Sequence, residues 1–246
     1  MQPGECPLCK GTGWKVFAVD RKVPTVTRCD CFFARRKSKL LKAARIPERY
    51  AGGFDDYKID RHGGSLEQAR FMAAKMVEEY PGETAGLLFI GPVGIGKSHL
   101  ACAVLRELVL AGHSGLFYSY ADLLTEIRNT YNDNGGLKYF TDPDGNRWET
   151  ESQILNHVIN VEVLLLDELG KVKASEWVLD KVREIIGGRY DKQRTTLITT
   201  NFPLEPTPAE IPLEAKIGKD MVSRLREMCH VVEMEGSDYR QVVKRR

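Results

Sequence analysis

Two patterns of apolar positions alternate along most of the chain. Short runs of apolar or β-branched residues, bounded by glycine and polar residues, occur at 85–90, 161–166 and 195–200. Such runs are typical of strands buried in a parallel sheet. Segments with apolar residues at helical spacing lie between them, for example at 99–110. Strands that alternate with helices predict an α/β domain.

The first 50 residues follow a different pattern. Segments 14–19 and 23–27 are predicted as two short strands, and 32–45 as a helix whose narrow apolar stripe is surrounded by Arg and Lys. Proline and glycine at 46–54 end this helix. We therefore expect three parts, namely a small module with a basic helix at 1–45, a linker at 46–64 and an α/β domain at 65–246.

Composition excludes some classes of protein, and charge divides the chain. Of its 246 residues 42% are hydrophobic and 28% charged, which excludes a mostly disordered chain. The net charge of +2 conceals +8 in residues 1–50, which carry 12 Lys and Arg against 4 Asp and Glu, and −6 in the rest. No apolar run approaches the roughly 18 residues that span a bilayer, and the first residues lack a signal-peptide pattern. We expect a cytoplasmic protein with no membrane partner.

Four of the six cysteines form two close pairs near the N-terminus. A Cys-x-x-Cys pair and a Cys-x-Cys pair are separated by 19 residues, and two pairs of thiolates commonly hold structural zinc. Gly11 and Gly13 follow the first pair, where a ligand loop must turn sharply. The alternative is four reduced thiols, but a module this short has too little core to fold without a staple. The predicted Zn²⁺ ligands of this zinc-ribbon-like module are Cys6, Cys9, Cys29 and Cys31.

The segment Gly91–Ser98 has the G-x-x-x-x-G-K-[ST] pattern of a phosphate loop, directly after a predicted strand. Backbone N–H groups of such a loop cradle phosphates, the lysine reaches the β/γ oxygens and the serine ligates Mg²⁺. We predict ATP and Mg²⁺ as ligands. The predicted nucleotide-binding residues are Gly91, Pro92, Val93, Gly94, Ile95, Gly96, Lys97, Ser98 and His99.

Polar residues end two further predicted strands. Asp167 and Glu168 follow the run at 161–166, so that Asp167 is predicted to hold Mg²⁺ and Glu168 to polarise the attacking water. Asn201 follows the run at 195–200 and would contact the water or the γ-phosphate if that strand lies between the other two. An acidic surface turn and an ordinary turn asparagine are the alternatives.

These motifs, in this order, resemble the AAA+ ATPases. Within them the chain resembles the DnaC/DnaI-type replicative helicase loaders and the similar IstB transposition ATPases, in segments 90–98, 117–124, 164–170 and 223–225. The cysteine pairs resemble the N-terminal zinc module of DnaI-like loaders. The resemblance implies a five-stranded parallel sheet in the order 5-1-4-3-2, counted from the strand before the phosphate loop. It also implies nucleotide bound between subunits and an arginine finger supplied in trans.

The resemblance assigns two further arginines. Arg224 matches the finger, although an intrahelical ion pair with Asp220 is the alternative. Arg240 matches a late phosphate-sensing arginine, and only six residues follow it, so we expect no C-terminal lid domain. Residues 132–150 interrupt the α/β pattern with basic and aromatic residues, which suit either single-stranded DNA or an exposed hairpin.

The leading hypothesis is an ATP-dependent loader that binds a hexameric replicative helicase and single-stranded DNA and self-associates through its ATP sites. The alternative is an IstB-like transposition helper acting on duplex DNA, which the cysteine pairs disfavour. A small-molecule kinase is disfavoured because Glu168 would have no task there. The basic helix at 32–45 leaves open whether the zinc module docks on protein or on DNA.

Overall fold

The computed structural model describes residues 6–17, 25–57, 64–131, 140–141, 147–148, 150–206, 208 and 210–239. In chain order the strands and helices are β1 (Trp14–Phe17), β2 (Thr25–Arg28), α1 (Asp30–Ala43), α2 (Gly64–Glu79), β3 (Gly86–Ile90), α3 (Lys97–Ala111), β4 (Gly115–Ser119), α4 (Tyr120–Asn129), β5 (Phe140–Thr141), β6 (Arg147–Trp148), α5 (Glu151–Asn160), β7 (Val163–Asp167), α6 (Glu176–Asp191), β8 (Thr195–Thr200), α7 (Glu214–Ile217), α8 (Lys219–Met228) and β9 (Cys229–Glu233). A short 3-10 turn spans Glu48–Tyr50.

Five parallel strands form the central sheet in the order β4-β7-β8-β3-β9. Counted from the strand before the phosphate loop, and from the opposite edge, this is the order 5-1-4-3-2, so the predicted topology is confirmed. β8 lies between β7 and β3. The carboxyl ends of these three strands therefore meet at one edge of the sheet.

Helices cover both faces of the sheet. Every residue of β3, β7 and β8 is buried, which explains why these strands are apolar or β-branched throughout. Along β3, Leu88 and Ile90 join the core on the side of α5, α6 and α8. Leu87 and Phe89 join the core on the side of α2 and α3. This alternation is the two-residue period of a strand.

The N-terminal module has the predicted elements. β1 and β2 pair antiparallel with Trp14 opposite Arg28, and α1 follows directly. The boundaries of α1 are two residues earlier than the predicted 32–45. The module therefore consists of a hairpin and a helix around the cysteine cluster.

The last residues of the predicted N-terminal module pack against the α/β domain. Ala44 is fully buried and its carbonyl accepts a hydrogen bond from the Phe117 N–H of β4 at 2.8 Å. Arg45 donates to the Tyr118 hydroxyl and forms an ion pair with Glu126 at 3.2 Å. The segment from α1 to the 3-10 turn is therefore attached to the α/β domain. The predicted boundaries between the three parts, at residues 45 and 64, stay a prediction.

Among the described residues, no helix combines the length and the apolar character needed to cross a bilayer.

Candidate functional site

The phosphate loop joins the end of β3 to the start of α3, as its sequence predicts. Gly94 and Gly96 have φ values of 83° and 99°, a region that side chains other than glycine rarely adopt. Space is also limiting, because a Cβ at Gly94 would overlap the Asp238 carboxylate and one at Gly96 would lie 2.8 Å from the Tyr57 ring. Both backbone conformation and close approach therefore require glycine here.

Lys97 is the first residue of α3 and is 6% exposed. Its ammonium donates hydrogen bonds to the carbonyls of Gly91 at 2.7 Å and Pro92 at 2.6 Å. The ammonium and the N-terminus of α3 thus lie at the same place, and both favour a bound anion. Ser98 follows in the first turn of the helix.

Asp167 ends β7 and is buried beside this helix. Its carboxylate accepts a hydrogen bond from the Thr199 hydroxyl at 2.6 Å. Burial raises the pKa of Asp167, and hydrogen bonds from Thr199 and Ser98 partly oppose the rise. Serine and carboxylate oxygens are ligands that Mg²⁺ accepts, so Ser98 and Asp167 fit the predicted magnesium site.

Glu168 leaves the strand in a strained conformation. Its φ is 59°, unusual for a residue other than glycine, and its N–H donates to the Thr199 hydroxyl at 2.9 Å. The carboxylate is partly exposed and pairs with Lys171 at 2.6 Å. The backbone turn therefore directs Glu168 out of the sheet edge, while Asp167 stays inside.

Thr199 is a site residue that the sequence analysis missed. Its hydroxyl bonds both to the Asp167 carboxylate and to the Glu168 N–H, and its carbonyl accepts the Leu169 N–H at 2.9 Å. The only signal in the sequence is a threonine in a strand that is buried on both faces, where each hydroxyl needs a partner.

Asn201 follows β8, and the condition set for its predicted role is met because β8 lies between β7 and β3. The residue is partly exposed at the same sheet edge as Asp167. Its side chain forms no hydrogen bond to any residue that the structure describes. Asn201 is therefore placed where it can contact a bound molecule.

Two segments distant in sequence border the loop. Tyr57 and Tyr50 pack their rings against His99 with centroid distances of 5.6 and 5.9 Å, and the His99 Nε2 lies 3.2 Å from the Gly53 carbonyl. On the other side, the Tyr239 N–H donates to the Gly94 carbonyl at 3.1 Å. Arg240 lies outside the described residues.

Arg224 lies apart from these groups. Its guanidinium is 5.4 Å from the centre of the Tyr190 ring of α6. Asp220 pairs instead with Arg183 at 3.5 Å, and in the described part of the chain no ion pair joins Asp220 to Arg224. The intrahelical alternative is therefore wrong. Arg224 does not join Lys97 and Asp167 within one chain.

The four N-terminal cysteines form one cluster. Their Sγ atoms all lie within 4.8 Å of one another, with Cys6 to Cys29 at 3.7 Å and Cys9 to Cys31 at 3.3 Å. Tetrahedral zinc with Zn–S bonds of about 2.3 Å needs Sγ atoms about 3.8 Å apart. The cluster fits a four-cysteine zinc site.

Backbone geometry supports this fit. Gly11 and Gly13 have φ values of 87° and 76°, which confirms the predicted sharp turn. Burial raises the pKa of the Cys9 thiol, but hydrogen bonds from the Cys31 thiol and from the Gly13 N–H at 3.4 Å lower it to about 6. The same hydrogen bond raises the pKa of the Cys31 thiol, so the sulfur positions, rather than the pKa values, support the zinc site.

An aromatic and basic surface lies where α4 and α6 meet. The Arg128 guanidinium is 4.8 Å from the centre of the Trp177 ring. The Tyr131 ring meets the same ring edge-on at 6.5 Å, and Tyr131 is 49% exposed. The sequence analysis missed Trp177, since it is far from the 132–150 insertion in the chain. The insertion's Lys138 and Tyr139 lie outside the described residues.

Comparisons with known proteins agree with this geometry. A family model for IstB-like ATP-binding proteins matches residues 31–246. The replicative helicase loader DnaC of Escherichia coli K12 is 29% identical over 175 residues, which cover 70% of this chain and 62% of that protein. DnaC of Buchnera aphidicola subsp. Acyrthosiphon pisum is 26% identical over 215 residues, or 86% and 78% of the two chains.

Solved structures show the same fold. A crystal structure of the DnaC helicase loader is 28% identical, with a TM-score of 0.63, and the match covers 77% of this chain and all of that one. A crystal structure of DnaI is 24% identical with a TM-score of 0.60, and covers 78% and 95%. Cys6, Cys9 and Cys29 precede the segment that the family model matches.

Proposed function

This chain belongs to the family of IstB-like ATP-binding proteins, and we propose that it is an AAA+ ATPase that loads a hexameric replicative helicase onto single-stranded DNA. One observation carries the ATPase proposal. Lys97 and Ser98 begin α3 beside the Asp167 carboxylate, and this combination suits a nucleoside triphosphate with Mg²⁺. The curated relatives named as helicase loaders support the choice of partner.

In the proposed hydrolysis of ATP, each polar group at this edge of the sheet has a separate role. With nucleotide bound, Lys97 would leave the carbonyls of Gly91 and Pro92 to bind the β- and γ-phosphates, and Ser98 and Asp167 would hold Mg²⁺. The metal ion neutralises phosphate charge when bound. Glu168, once it leaves Lys171, accepts a proton from the water that attacks the γ-phosphorus, and Asn201 orients that water. The bond between the γ-phosphorus and the oxygen that bridges it to the β-phosphate breaks, which yields ADP and phosphate.

Self-association completes the site. Arg224 packs beside Tyr190 rather than near its own phosphate loop, and this placement supports a finger that reaches a neighbouring subunit's nucleotide. An arginine supplied in trans stabilises charge in the transition state. Hydrolysis then depends on an assembled oligomer with nucleotide between subunits. Arg240 follows Tyr239, whose N–H donates a hydrogen bond to the Gly94 carbonyl of the phosphate loop. We include a contact between Arg240 and a bound phosphate in the proposal.

The zinc module offers a docking face for the helicase. Its first cysteine loop, its hairpin and the first turn of α1 expose large apolar side chains, namely Leu8, Trp14, Val16, Val26 and Phe33. Exposed apolar side chains grouped on a small module mark a surface for a protein partner. Zinc bound by the four cysteines would keep this face folded.

Single-stranded DNA is proposed to contact the surface of Arg128, Tyr131 and Trp177. Partly exposed aromatic rings stack on bases of any sequence, and the guanidinium adds a contact to phosphate or to a base. This surface lies at the start of the 132–150 insertion, so the insertion and the surface can bind one strand together.

The second candidate is a transposition helper that acts on duplex DNA, like the IstB ATPases after which the matched family is named. The cysteine cluster favours the loader, because three of its four proposed ligands precede the segment that the family model matches. Co-purification with a hexameric helicase supports the loader. Stable filaments on duplex DNA, without helicase binding, would replace it by the second candidate.

The Glu168→Gln variant tests the ATPase proposal. Glutamine keeps the side-chain shape but cannot accept the proton, so we expect hydrolysis to fall by about 10²- to 10⁴-fold with ATP binding retained. A pull-down with this variant and ATP should then hold the helicase complex. Unchanged ATP turnover would contradict the assigned role of Glu168. The control is Lys75→Ala, a substitution of an exposed residue on α2, which should leave ATP turnover unchanged.

A further inference from the structure

A tight turn follows β7 and fixes the backbone of Glu168 and Lys171. The Glu168 N–H donates to the Thr199 hydroxyl at 2.9 Å, and the Lys171 N–H donates to the Glu168 carbonyl at 3.2 Å. Between them, the buried Leu169 donates its N–H to the Thr199 carbonyl at 2.9 Å, and its carbonyl accepts from the Thr200 hydroxyl at 2.9 Å. Three hydrogen bonds to β8 therefore hold the backbone from which the Glu168 side chain extends.

The side chains of this turn, in contrast, are exposed and contact each other. The Lys171 ammonium donates to the Glu168 Oε2 at 2.6 Å. The Glu168 side chain is 38% exposed and the Lys171 side chain 60%. Because the backbone is held, the two side chains separate by rotation about their own bonds. The ion pair can therefore open without any change in the sheet.

Glu168 is also the proposed general base, and the ion pair competes with this role. Among the residues that the structure describes, its carboxylate forms no hydrogen bond or ion pair except with Lys171. A general base must reach the proton of the attacking water. An oxygen that accepts from an ammonium is not available to that proton, and the ammonium draws the carboxylate towards the exposed side of the turn.

We propose that Lys171 is a positioning residue that holds Glu168 away from the attacking water and so limits ATP hydrolysis. The inference rests on the ATPase function proposed above and adds a residue that sets its rate through Glu168. An exposed ion pair forms with an equilibrium constant of about 1.4 to 5. Fewer than half of the chains then have a free general base, and the rate is reduced by that fraction.

Two other roles for Lys171 predict different results. If its ammonium binds a phosphate of the nucleotide, its loss weakens ATP binding whether or not Glu168 is present. If the ion pair orients Glu168 towards the water, its loss lowers the rate. The proposed role alone predicts a higher kcat with the affinity for ATP unchanged.

The test is steady-state ATP hydrolysis by the full-length protein, with every variant at the same concentration. For Lys171→Ala we expect kcat to rise by about two- to sixfold, with the affinity for ATP within about twofold of the parent. Lys171→Arg keeps the charge and should keep the low rate. Salt screens an exposed pair, so the ratio of the Lys171→Ala rate to the parent rate should shrink as ionic strength rises.

A double variant separates an effect through Glu168 from any other effect. Lys171→Ala combined with Glu168→Gln should have the same single-turnover rate as Glu168→Gln alone, because glutamine cannot act as a base in either case. Lys173→Ala removes an exposed lysine of the same loop, which forms no ion pair within the described part of the chain, and should leave kcat unchanged. Lys75→Ala opens a comparable exposed pair, with Glu79 at 3.6 Å on α2, and should also leave kcat unchanged.

The outcomes for the inference and for the proposed function are distinct. An unchanged or lower kcat in Lys171→Ala overturns the inference, and so does a rise that persists in the double variant. In these cases a loss of hydrolysis in Glu168→Gln leaves the proposed ATPase intact. If the parent protein hydrolyses no ATP, the proposed function fails and this inference fails with it.

Discussion

At the scale of single residues, the site depends on a buried carboxylate whose ionisation opposes folding. Burial raises the pKa of Asp167 despite the hydrogen bonds from Thr199 and Ser98. The ionised form is therefore less favourable in the folded chain than in the unfolded one at neutral pH. Such strain is typical of residues kept for binding a cation rather than for stability.

We expect Asp167→Asn to raise the free energy of unfolding of the nucleotide-free protein at neutral pH, because the amide carries no charge and its oxygen can still accept from Thr199. The sign follows from the raised pKa: the penalty is present above the folded-state pKa and disappears as the carboxyl protonates at lower pH. Chemical denaturation at several pH values measures the difference, which should shrink towards acid pH.

Asp167→Asn should at the same time lose Mg²⁺-dependent hydrolysis. Lys75→Ala again provides the unperturbed reference. A variant that is less stable than the parent at neutral pH would contradict the assigned origin of the pKa shift.

At the scale of elements, the N-terminal hairpin and α1 form a small unit that we propose is stabilised by zinc. β1 and β2 have four residues each, and every residue of β2 is exposed. No residue of α1 is fully buried. Burial alone supplies little stability to the hairpin, and the proposed zinc site would supply it. The end of α1 differs, because Leu40 and Leu41 pack against the α/β core and Ala44 and Arg45 just beyond are held by it.

Cys29→Ser should therefore unfold the hairpin and leave the phosphate loop intact. We expect about one zinc ion per chain in the parent and loss of that zinc in the variant, measured by elemental analysis. Limited proteolysis should then cleave before α2, while nucleotide affinity persists. Cys102→Ala, which removes a buried thiol outside the cluster, should retain zinc. Full zinc content in Cys29→Ser would contradict the proposed ligand set.

At the scale of the whole molecule, the site is split between two regions of the chain surface. The phosphate loop, Asp167, Glu168 and Asn201 share the carboxyl edge of the sheet, whereas Arg224 lies beside α6. Under the proposed assembly, ATP would be hydrolysed only where two copies meet. The proposed binding of nucleotide, helicase and DNA would then be linked through assembly.

Mixing two inactive variants tests this division. Lys97→Ala removes the phosphate contact and Arg224→Ala removes the finger, so each alone should lose most of the hydrolysis. In an equal mixture about a quarter of randomly formed interfaces pair an intact loop with an intact finger, and about that share of activity should return. A mixture that stays inactive, although both variants assemble, would show that Arg224 does not act in trans.

Sequence by itself determined the groups whose chemistry depends on neighbours along the chain. The phosphate loop, the Asp167–Glu168 strand end, the strand before Asn201 and the cysteine pairs are each local patterns, because a glycine turn, a strand end or a metal loop is built from adjacent backbone. The alternation of strands and helices also predicted the α/β class, and the resemblance supplied the strand order.

Tertiary structure alone decided which distant residues meet. It placed Thr199 between Asp167 and Glu168, packed Tyr50 against His99, joined Trp177 to Tyr131, and paired Asp220 with Arg183. The physical reason is that these contacts arise from packing of segments far apart in the chain, where the choice of partner depends on the shape and burial of the whole core rather than on local spacing.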